Sequence, residues 1–245
     1  MKGGVRTILL YVLAAAGIVY GLAVSIWASR KPVDAPCREL CITVADSAER
    51  QFVTAEDLRS YLARAGFHLS GQPLQDIDCA AVEQCLLQHD LIRTAQCYKS
   101  PQDEVRIKVT QRVPVLYVVA NDGCYYVDSD RKIMPLRTSV KVDVLKLEGA
   151  VSRRAATEEY FDLAQWLAHD DYWSTRIRQV QVSNPRGIVL LQRNMAARIL
   201  IGTLDDYPKK MNKLKRLYTN GFDITEYPSY SEYDLRFAGQ VVGRK

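Results

Sequence analysis

The sequence predicts an α+β protein with an N-terminal transmembrane helix, a small β-α-α-β-β domain and a larger, mostly antiparallel β domain that carries two helices. Three observations support this prediction. One is an uncharged run near the N-terminus, the second is a pair of helical patterns flanked by strand patterns, and the third is a series of short alternating segments after Pro114. With 48% hydrophobic and 25% charged residues in 245, the chain has the composition of a folded protein.

The first element is an uncharged segment of 21 residues, Ile8–Ala28, which follows a short basic N-terminus, residues 1–7. As a helix it would be about 31 Å long, close to the thickness of a bilayer core. The alternative is a signal peptide cleaved at Ala23-Val24-Ser25, but the apolar part of such a peptide is only about 7–15 residues long. We therefore expect a retained single span with a cytoplasmic N-terminus, followed by a polar linker, residues 29–37, and an extracytoplasmic body.

The next segment, residues 38–113, has the order β-α-α-β-β. A strand pattern in CRELCITV leads to Thr54 and Asp57, whose spacing is that of a helix capping box. Gly66 suits the end of this helix, and a second helix begins near Asp78. The expected buried residues are Leu58, Tyr61, Leu62 and Ala65 in the first helix, Cys79, Val82, Cys85 and Leu86 in the second, and Val105, Ile107 and Val109 in the final strand, VRIKVTQ.

The remaining segment, residues 114–245, is predicted to be mainly β structure. Two apolar strands surround an Asn-Asp-Gly turn, and a second turn follows at Asp128-Ser129-Asp130. Helical patterns cover residues 153–169 and 208–220. Further strands are expected at 142–149, 177–182, 188–192 and 197–201. The chain closes with EYDLRFAGQVVGRK, residues 232–245, which alternates like one strand with no hairpin after it.

Motifs of catalysis and of cofactor binding are missing from the sequence. His68, His89 and His169 have no Cys, Asp or Glu at metal-ligand spacing, and there is no Gly-x-Ser-x-Gly, no phosphate-binding loop and no Cys-x-x-Cys. Asp128 and Asp130 could be considered as a pair of catalytic carboxylates. They lie between two strands, however, where Asp is first of all a turn residue. The formal charge of +5 is too small for a nucleic-acid-binding surface. We therefore expect no catalytic residue, no metal, no cofactor and no nucleic-acid partner.

Six cysteines leave two alternatives open. In an extracytoplasmic domain they can form disulfides, with 15 full pairings, or stay single buried thiols. The pairs Cys79–Cys85 on one helix and Cys37–Cys41 in one strand are too far apart to be bridged. Because no compact cysteine framework is present, single thiols are favoured.

The second predicted helix of the β domain is rich in basic residues. One interpretation is a solvated outer face, and the other is a patch that meets acidic lipid headgroups or an acidic partner. The solvated face is the simpler interpretation, because apolar Met211 and Leu214 lie on the opposite side. The basic residues are Lys209, Lys210, Lys213, Lys215 and Arg216.

The order of these segments resembles the FtsQ/DivIB family of bacterial cell-division proteins. The first domain is similar to the POTRA domain of that family, and later segments are similar to its β domain. The segments that carry the resemblance are FVTAEDLRSYLARAG, GQPLQDIDCAAVEQCLLQHDLIRTAQCY, VRIKVTQRVPVLYV, CYYVDSDRKIMPL, DYWSTRIRQVQVS, YPKKMNKLKRLY and YDLRFAGQVV. One departure is visible, since the family usually has Gly after the Asp128 turn and this chain has Arg131.

The resemblance implies a protein without enzymatic activity. It implies a bitopic scaffold in the cell inner membrane, with its body in the periplasm, concentrated at the division septum. Its expected partners are FtsB-like and FtsL-like proteins, which link it to the septal peptidoglycan synthase. Two alternatives remain, a POTRA-containing periplasmic chaperone or translocation accessory and a membrane-anchored hydrolase whose site is assembled from scattered residues.

The closing segment is the expected partner-binding site. A strand pairs on one side with its own sheet and leaves its other edge for an added strand, as in β-augmentation. Gly239 would permit a close backbone approach or a bulge. The simpler alternative is a final core strand with a frayed tail. The predicted site residues are Tyr233, Leu235, Arg236, Phe237, Ala238, Gly239, Gln240, Val241 and Val242.

Overall fold

The protein is described by a computed structural model, which covers residues 16–21, 24, 35–48, 51–136, 142–221 and 230–245. Of the predicted span Ile8–Ala28, only residues 16–21 and 24 are among these, and they are helical. The rest of the span, residues 1–7 and most of the linker lie outside the described residues. Within the described part of the chain, no helix is both long and apolar enough to cross a bilayer.

The chain divides into two compact units. The first unit consists of the described residues up to Ala45, Thr54–Gln88 and Thr94–Val109. The second unit consists of the described residues of Asp46–Val53, His89–Arg93 and Thr110–Lys245. Two short segments that precede Thr110 in the chain therefore belong to the second unit. The domain boundary between residues 113 and 114 stays a prediction.

The first unit contains two helices and a three-stranded sheet, apart from two end residues of each of two strands, in the predicted order β-α-α-β-β. The elements are β1 (Glu39–Val44), α1 (Ala55–Arg64), α2 (Cys79–Leu87), β2 (Ile92–Lys99) and β3 (Glu104–Gln111). The strand order is β1-β3-β2, and β1 runs parallel to β3. The alternation in VRIKVTQ is confirmed, because Val105, Ile107 and Val109 are buried.

The ends of α1 follow from its sequence. The Thr54 hydroxyl accepts a hydrogen bond from the Asp57 N–H at 3.1 Å, and the Asp57 carboxylate accepts one from the Thr54 N–H at 3.0 Å, which completes the predicted capping box. Gly66 follows the helix with φ of 90°, and the Phe67 N–H donates to the Leu62 carbonyl at 2.9 Å. This Schellman arrangement requires a left-handed residue, which glycine adopts without a steric cost.

The predicted buried faces of the two helices are largely confirmed. Leu58 and Leu62 of α1 are buried, as are Val82 and Leu86 of α2. Four predictions are wrong in degree: Ala65, the residue that caps α1, is exposed, and Tyr61, Cys79 and Cys85 are half-buried rather than buried.

The second unit contains a nine-stranded mixed sheet. Its elements are β4 (Pro114–Ala120), β5 (Gly123–Asp128), β6 (Ile133–Pro135), β7 (Leu145–Gly149), α3 (Arg153–Thr157), α4 (Glu159–His169), β8 (Ile177–Ser183), β9 (Gly187–Gln192), β10 (Arg198–Gly202), α5 (Tyr207–Asn220), β11 (Glu232–Asp234) and β12 (Val242–Arg244). The strand order is β12-β11-β10-β9-β8-β7-β4-β5-β6. The pairs β4–β7, β7–β8 and β10–β11 are parallel and the others antiparallel, so the sheet is more mixed than predicted.

The core of this unit lies between the sheet and the two longer helices. Apolar residues of α4, of α5 and of the sheet form one continuous buried cluster, with Trp173 fully enclosed. The single helix predicted over 153–169 is two helices, because the backbone breaks at Glu158 with φ of −108° and ψ of −92°. The helix residues of the cluster include Phe161, Leu163, Ala164 and Leu167 from α4 and Met211, Leu214 and Tyr218 from α5.

Arg131 lies where the resemblance led us to expect glycine. Its φ is 63°, so an arginine adopts the left-handed conformation that the turn after β5 requires. The guanidinium pairs with Asp162 at 2.6 Å, donates to the Thr157 carbonyl at 3.2 Å and lies 4.6 Å from the centre of the Phe161 ring. These contacts with the α3–α4 region offset the strain of the left-handed backbone at Arg131.

Two glycines of the sheet offer a matched test of close packing. Gly149 and Gly123 have φ of 133° and 128°, but a Cβ on Gly149 would lie 2.0 Å from the Val182 carbonyl oxygen, whereas one on Gly123 would meet nothing within 4 Å. Both alanine substitutions carry a backbone cost of about 1–3 kcal/mol. We expect Gly149→Ala to lower the free energy of unfolding by about 2 kcal/mol more than Gly123→Ala, measured by urea denaturation. Equal losses would contradict the tight β7–β8 contact.

Candidate partner-binding edge of the sheet

The closing segment, predicted as one strand over 232–245, folds back on itself. β11 and β12 are antiparallel neighbours joined by residues 235–241, and β11 pairs in parallel with β10 on its other side. The prediction that no hairpin ends the chain is therefore wrong, and the edge of β11 that was expected to be free is covered by β12. The alternation continues through the sequence, but Gly239, with φ of 76°, lies in a reversal rather than in an extended strand.

The predicted site residues divide into a buried and an exposed set. Tyr233 and Leu235 are 0% and 1% exposed, so they belong to the core and not to an accessible surface. Phe237, expected on the same face, is 45% exposed because β11 ends before it. Arg236, Ala238, Gly239 and Gln240 are exposed, and Val241 and Val242 are half-buried. Partner binding by these residues stays a prediction.

Aromatic packing and backbone bonds fix the position of β11. The Tyr233 ring lies edge-on to Tyr218 of α5, with 5.2 Å between ring centres, and 5.7 Å from the ring of Tyr230. Aromatic pairs of this kind contribute about 0.5–1.5 kcal/mol beyond their buried area. The Leu235 N–H donates to the Leu200 carbonyl at 2.8 Å. β11 is therefore held both by its backbone and by its core-facing side chain.

The other face of β11 carries two buried carboxylates. Asp234 is fully buried and Glu232 nearly so. Asp234 pairs with Arg236 at 2.7 Å and with Arg244 of β12 at 3.2 Å. Glu232 pairs with Arg186 at 3.3 Å and with Arg244 at 3.4 Å. Because Arg244 contacts both carboxylates, it joins β12 to β11 through side chains as well as through the strand ladder.

This ion-pair network shifts the ionisation of its members. The hydrogen bond from Arg236 holds the pKa of Asp234 below its ordinary value, against the opposing effect of burial. The same bond raises the pKa of Arg236. The arginine stem also covers Gly202, where an added Cβ would lie 2.8 Å from the Arg236 Cγ. The network is therefore charged at neutral pH and closely packed on the last residue of β10.

Lysines of α5 hold the loops beside this edge. Lys213 donates to the Phe237 carbonyl at 2.8 Å, and Lys210 donates to the Ile201 carbonyl at 3.0 Å. Burial, with a smaller effect of Lys210, lowers the pKa of Lys213. Two lysines of the basic face of α5 therefore form hydrogen bonds within the protein, so this face is not simply a solvated surface.

β12 forms one end of the described sheet, and β6 forms the other. Gly243 allows the Tyr230 ring to lie over β12, because an added Cβ there would be 2.6 Å from the ring. Val242 is half-buried, whereas Gly243 and Arg244 are exposed. An end strand presents backbone N–H and C=O groups along its outer side. The geometry of this edge is that of a surface to which an extended segment can add.

Asp128, the first of the two aspartates considered as catalytic carboxylates, has a structural role. Asp128 is fully buried, and its carboxylate accepts hydrogen bonds from Arg112 at 2.7 Å and from the N–H groups of Asp130 and Lys132 at 2.9 and 2.7 Å. These bonds close the turn after β5, as expected for Asp in a turn.

The fold of the first unit places three possible metal ligands close together, and their spacing in the sequence did not predict this. They are Glu39, Cys41 and Glu104. Their ligand atoms lie within 4.8 Å of one another, because the parallel register pairs Glu39 with Glu104. Glu104 is already paired with Arg106 at 2.9 Å. Burial, then Glu39, raises the pKa of the Cys41 thiol, which disfavours the thiolate that a metal requires.

A cavity of about 310 Å³ lies between β4, β7 and α4. Its wall is mostly apolar and includes Val115, Leu145 and Trp173. The charged residues at its lining, Asp143 and Arg193, pair with each other at 3.0 Å. The charges at this cavity are therefore neutralised within the protein.

Comparison with known proteins agrees with the two-part organisation. Residues 113–244, more than half of the chain, match the family model described as FtsQ/DivIB, C-terminal related. Residues 35–110 match the model described as a POTRA-like domain. No curated protein sequence matches this chain. The first matched range runs from before β1 to the next-to-last residue of β3, and the second covers β4 to β12, so the candidate edge lies within the C-terminal match.

The buried Asp234 predicts a pH dependence of stability. Because its pKa is lowered in the folded protein, its contribution is fully present above the ordinary carboxyl pKa of about 3.9 and is lost as the pH falls through the lowered value. We expect Asp234→Asn to be less stable than the parent protein at pH 7, by about 1–2 kcal/mol, and the difference to shrink towards pH 2.5.

Urea denaturation between pH 7 and pH 2.5 measures this difference. The matched control is Asp171→Asn, at an exposed position, which should stay within about 0.5 kcal/mol of the parent at pH 7. A stability difference for Asp234→Asn that is constant across the pH range would contradict the ion-pair interpretation.

Proposed function

The chain belongs to the FtsQ/DivIB family, and from this premise we propose that it is a non-enzymatic scaffold of the bacterial cell-division complex. The observation that carries the proposal is the succession of a POTRA-like domain and an FtsQ/DivIB-related C-terminal domain in one chain. The described candidate sites support a scaffold, since the buried aspartates and the charged cavity residues are paired within the protein. Its work would then be to hold other proteins in place.

The proposed location is the cell inner membrane at the division septum. The uncharged segment Ile8–Ala28 is the proposed single span, and the two compact units follow it into the periplasm. This placement gives the candidate edge access to the extracytoplasmic parts of other division proteins.

The proposed partner-binding site is the outer edge of β12 with the adjoining loop. An extended segment of an FtsB-like protein would add its backbone to β12, and Phe237 would provide an apolar contact beside it. Lys245, which follows β12 and is exposed, favours an acidic segment. Tyr233 and Leu235 contribute indirectly by fixing β11 from the core side. Through the FtsB-like and FtsL-like partners the protein would be linked to the septal peptidoglycan synthase.

Alanine substitution of Phe237 tests this surface. Phe237→Ala removes an exposed ring next to the edge, and we expect the dissociation constant for the FtsB-like and FtsL-like complex to rise at least about tenfold. Leu136→Ala is the matched control, because Leu136 is an exposed apolar residue, 37% exposed, beside β6 at the opposite end of the sheet. The control should bind like the parent protein in a surface-based binding assay.

Val241→Glu is a second variant, which places a negative charge next to β12. We expect it to weaken partner binding as Phe237→Ala does. If both Phe237→Ala and Val241→Glu stay folded by circular dichroism and capture the partners with unchanged affinity, β12 is not the binding site. If Leu136→Ala weakens capture equally, the effect is not specific to this edge.

Depletion of the protein in its own cells tests the scaffold role. We expect filamentous cells with unfinished septa, and a fluorescent protein fused to the N-terminus should form a ring at mid-cell. A translocation or chaperone accessory would instead produce defects in outer-membrane proteins. Normal division after depletion would refute the proposed function.

A further inference from the structure

The cavity between β4, β7 and α4 has the size and the wall of a small-molecule site. Its volume of about 310 Å³ lies at the lower end of the range of about 300–1,000 Å³ that is usual for ligand pockets. The wall includes Val115 of β4, Leu145 of β7, Leu167 of α4 and Ile177 of β8. Because these side chains are aliphatic, the cavity suits the apolar body of a small ligand.

One basic side chain of the lining is already held in the geometry that binds a carboxylate. The Arg193 guanidinium donates to both carboxylate oxygens of Asp143, from Nη1 at 3.1 Å and from Nη2 at 3.0 Å. Paired bonds of this kind are the reason why arginine is the preferred partner of carboxylates. Asp143 therefore shows, within the protein, how the carboxylate of a ligand would be bound.

The two members of this ion pair are fixed to different degrees. Arg193 directly follows β9, and its N–H donates to the Arg176 carbonyl at 2.7 Å. Asp143 precedes β7 in a segment without regular secondary structure, and its side chain is 79% exposed, against 34% for Arg193. An ion pair with so exposed a member contributes little to stability, because water solvates the separated charges well. A carboxylate that also fills the cavity can therefore displace Asp143.

We propose that this cavity binds a small monocarboxylate with an apolar body. The body contacts the aliphatic wall, and the carboxylate takes the place of Asp143 on the Arg193 guanidinium. Asp143 acts as an internal competitor, which keeps the guanidinium paired until a ligand binds. The inference does not rest on the proposed partners or on the proposed location of the protein.

Charge distinguishes this cavity from a second cleft of the same unit, which lies beside the start of α4 and the connection from β10 to α5. The lining of that cleft includes Glu159, Asp162 and Asp205, and none of its described lining residues is basic. Its carboxylates would repel a negatively charged ligand. A carboxylate probe is therefore selective for the cavity beside Arg193.

The test uses the full-length purified protein in detergent and isothermal titration calorimetry with two probes of the same shape, phenylpropionate and its neutral amide. We expect the carboxylate to bind at least about tenfold more tightly than the amide, because only the carboxylate accepts paired, charge-assisted hydrogen bonds from Arg193. Partition of each probe into the detergent is the same for every variant, so differences between variants report binding to the protein.

Substitutions of the two members of the ion pair should act in opposite directions. Arg193→Gln should weaken phenylpropionate binding at least about tenfold and leave binding of the amide within about twofold of the parent. Asp143→Asn should strengthen phenylpropionate binding about two- to fivefold, because the competing carboxylate is lost. An ion pair with a merely structural role would give changes of the same sign.

A further variant closes the cavity itself. Ala168→Phe, at an exposed position of the lining, should abolish binding of both probes, whereas the matched control Ala63→Phe, at an exposed position of α1, should bind like the parent. Circular dichroism checks that each variant is folded. No binding of phenylpropionate to the parent, equal affinity for the two probes, weaker binding by Asp143→Asn, or unchanged binding by folded Ala168→Phe would each overturn the proposal.

Discussion

The parallel pairing of β11 with β10 is the contact on which the closing part of the sheet depends. Within the described sheet, β12 is joined to the other strands through β11. The Tyr233 ring fixes the register of β11, because it is fully buried against Tyr218 and Tyr230. A slip of one residue would turn Glu232 or Asp234 towards the apolar core and Tyr233 away from it. The ion pairs on one face and the aromatic cluster on the other therefore specify the same register.

Much of the fold could be predicted from the sequence where the signal is local. The capping box at Thr54, the glycine after α1 and the alternation in β3 each depend on residues that are close in the chain, and the structure confirms all three. The helix α5 was predicted within one residue of its observed start for the same reason. The nine-stranded order could not be predicted, since parallel pairs such as β4–β7 join segments that are distant in the chain.

The shape of the closing segment was predicted wrongly, and partner binding by this segment stays a prediction. Alternation continued through Phe237, so periodicity indicated one long strand, and Gly239 was interpreted as a place of close approach rather than of chain reversal. Glu232 and Asp234 are buried beside arginines from three positions, which strand alternation alone does not indicate. The sequence did contain one indication that these carboxylates are buried, namely the nearby Arg236 and Arg244, because buried carboxylates require cationic partners.

Lys213 belongs both to the basic face of α5 and to the support of the loop that follows β11. Its ammonium group donates to the Phe237 carbonyl, so an anionic ligand that takes this group must first release the loop. A protein that binds the ordered loop needs that bond intact. By thermodynamic linkage, two such ligands would be antagonists: each would lower the affinity of the other by the same factor, without any contact between them.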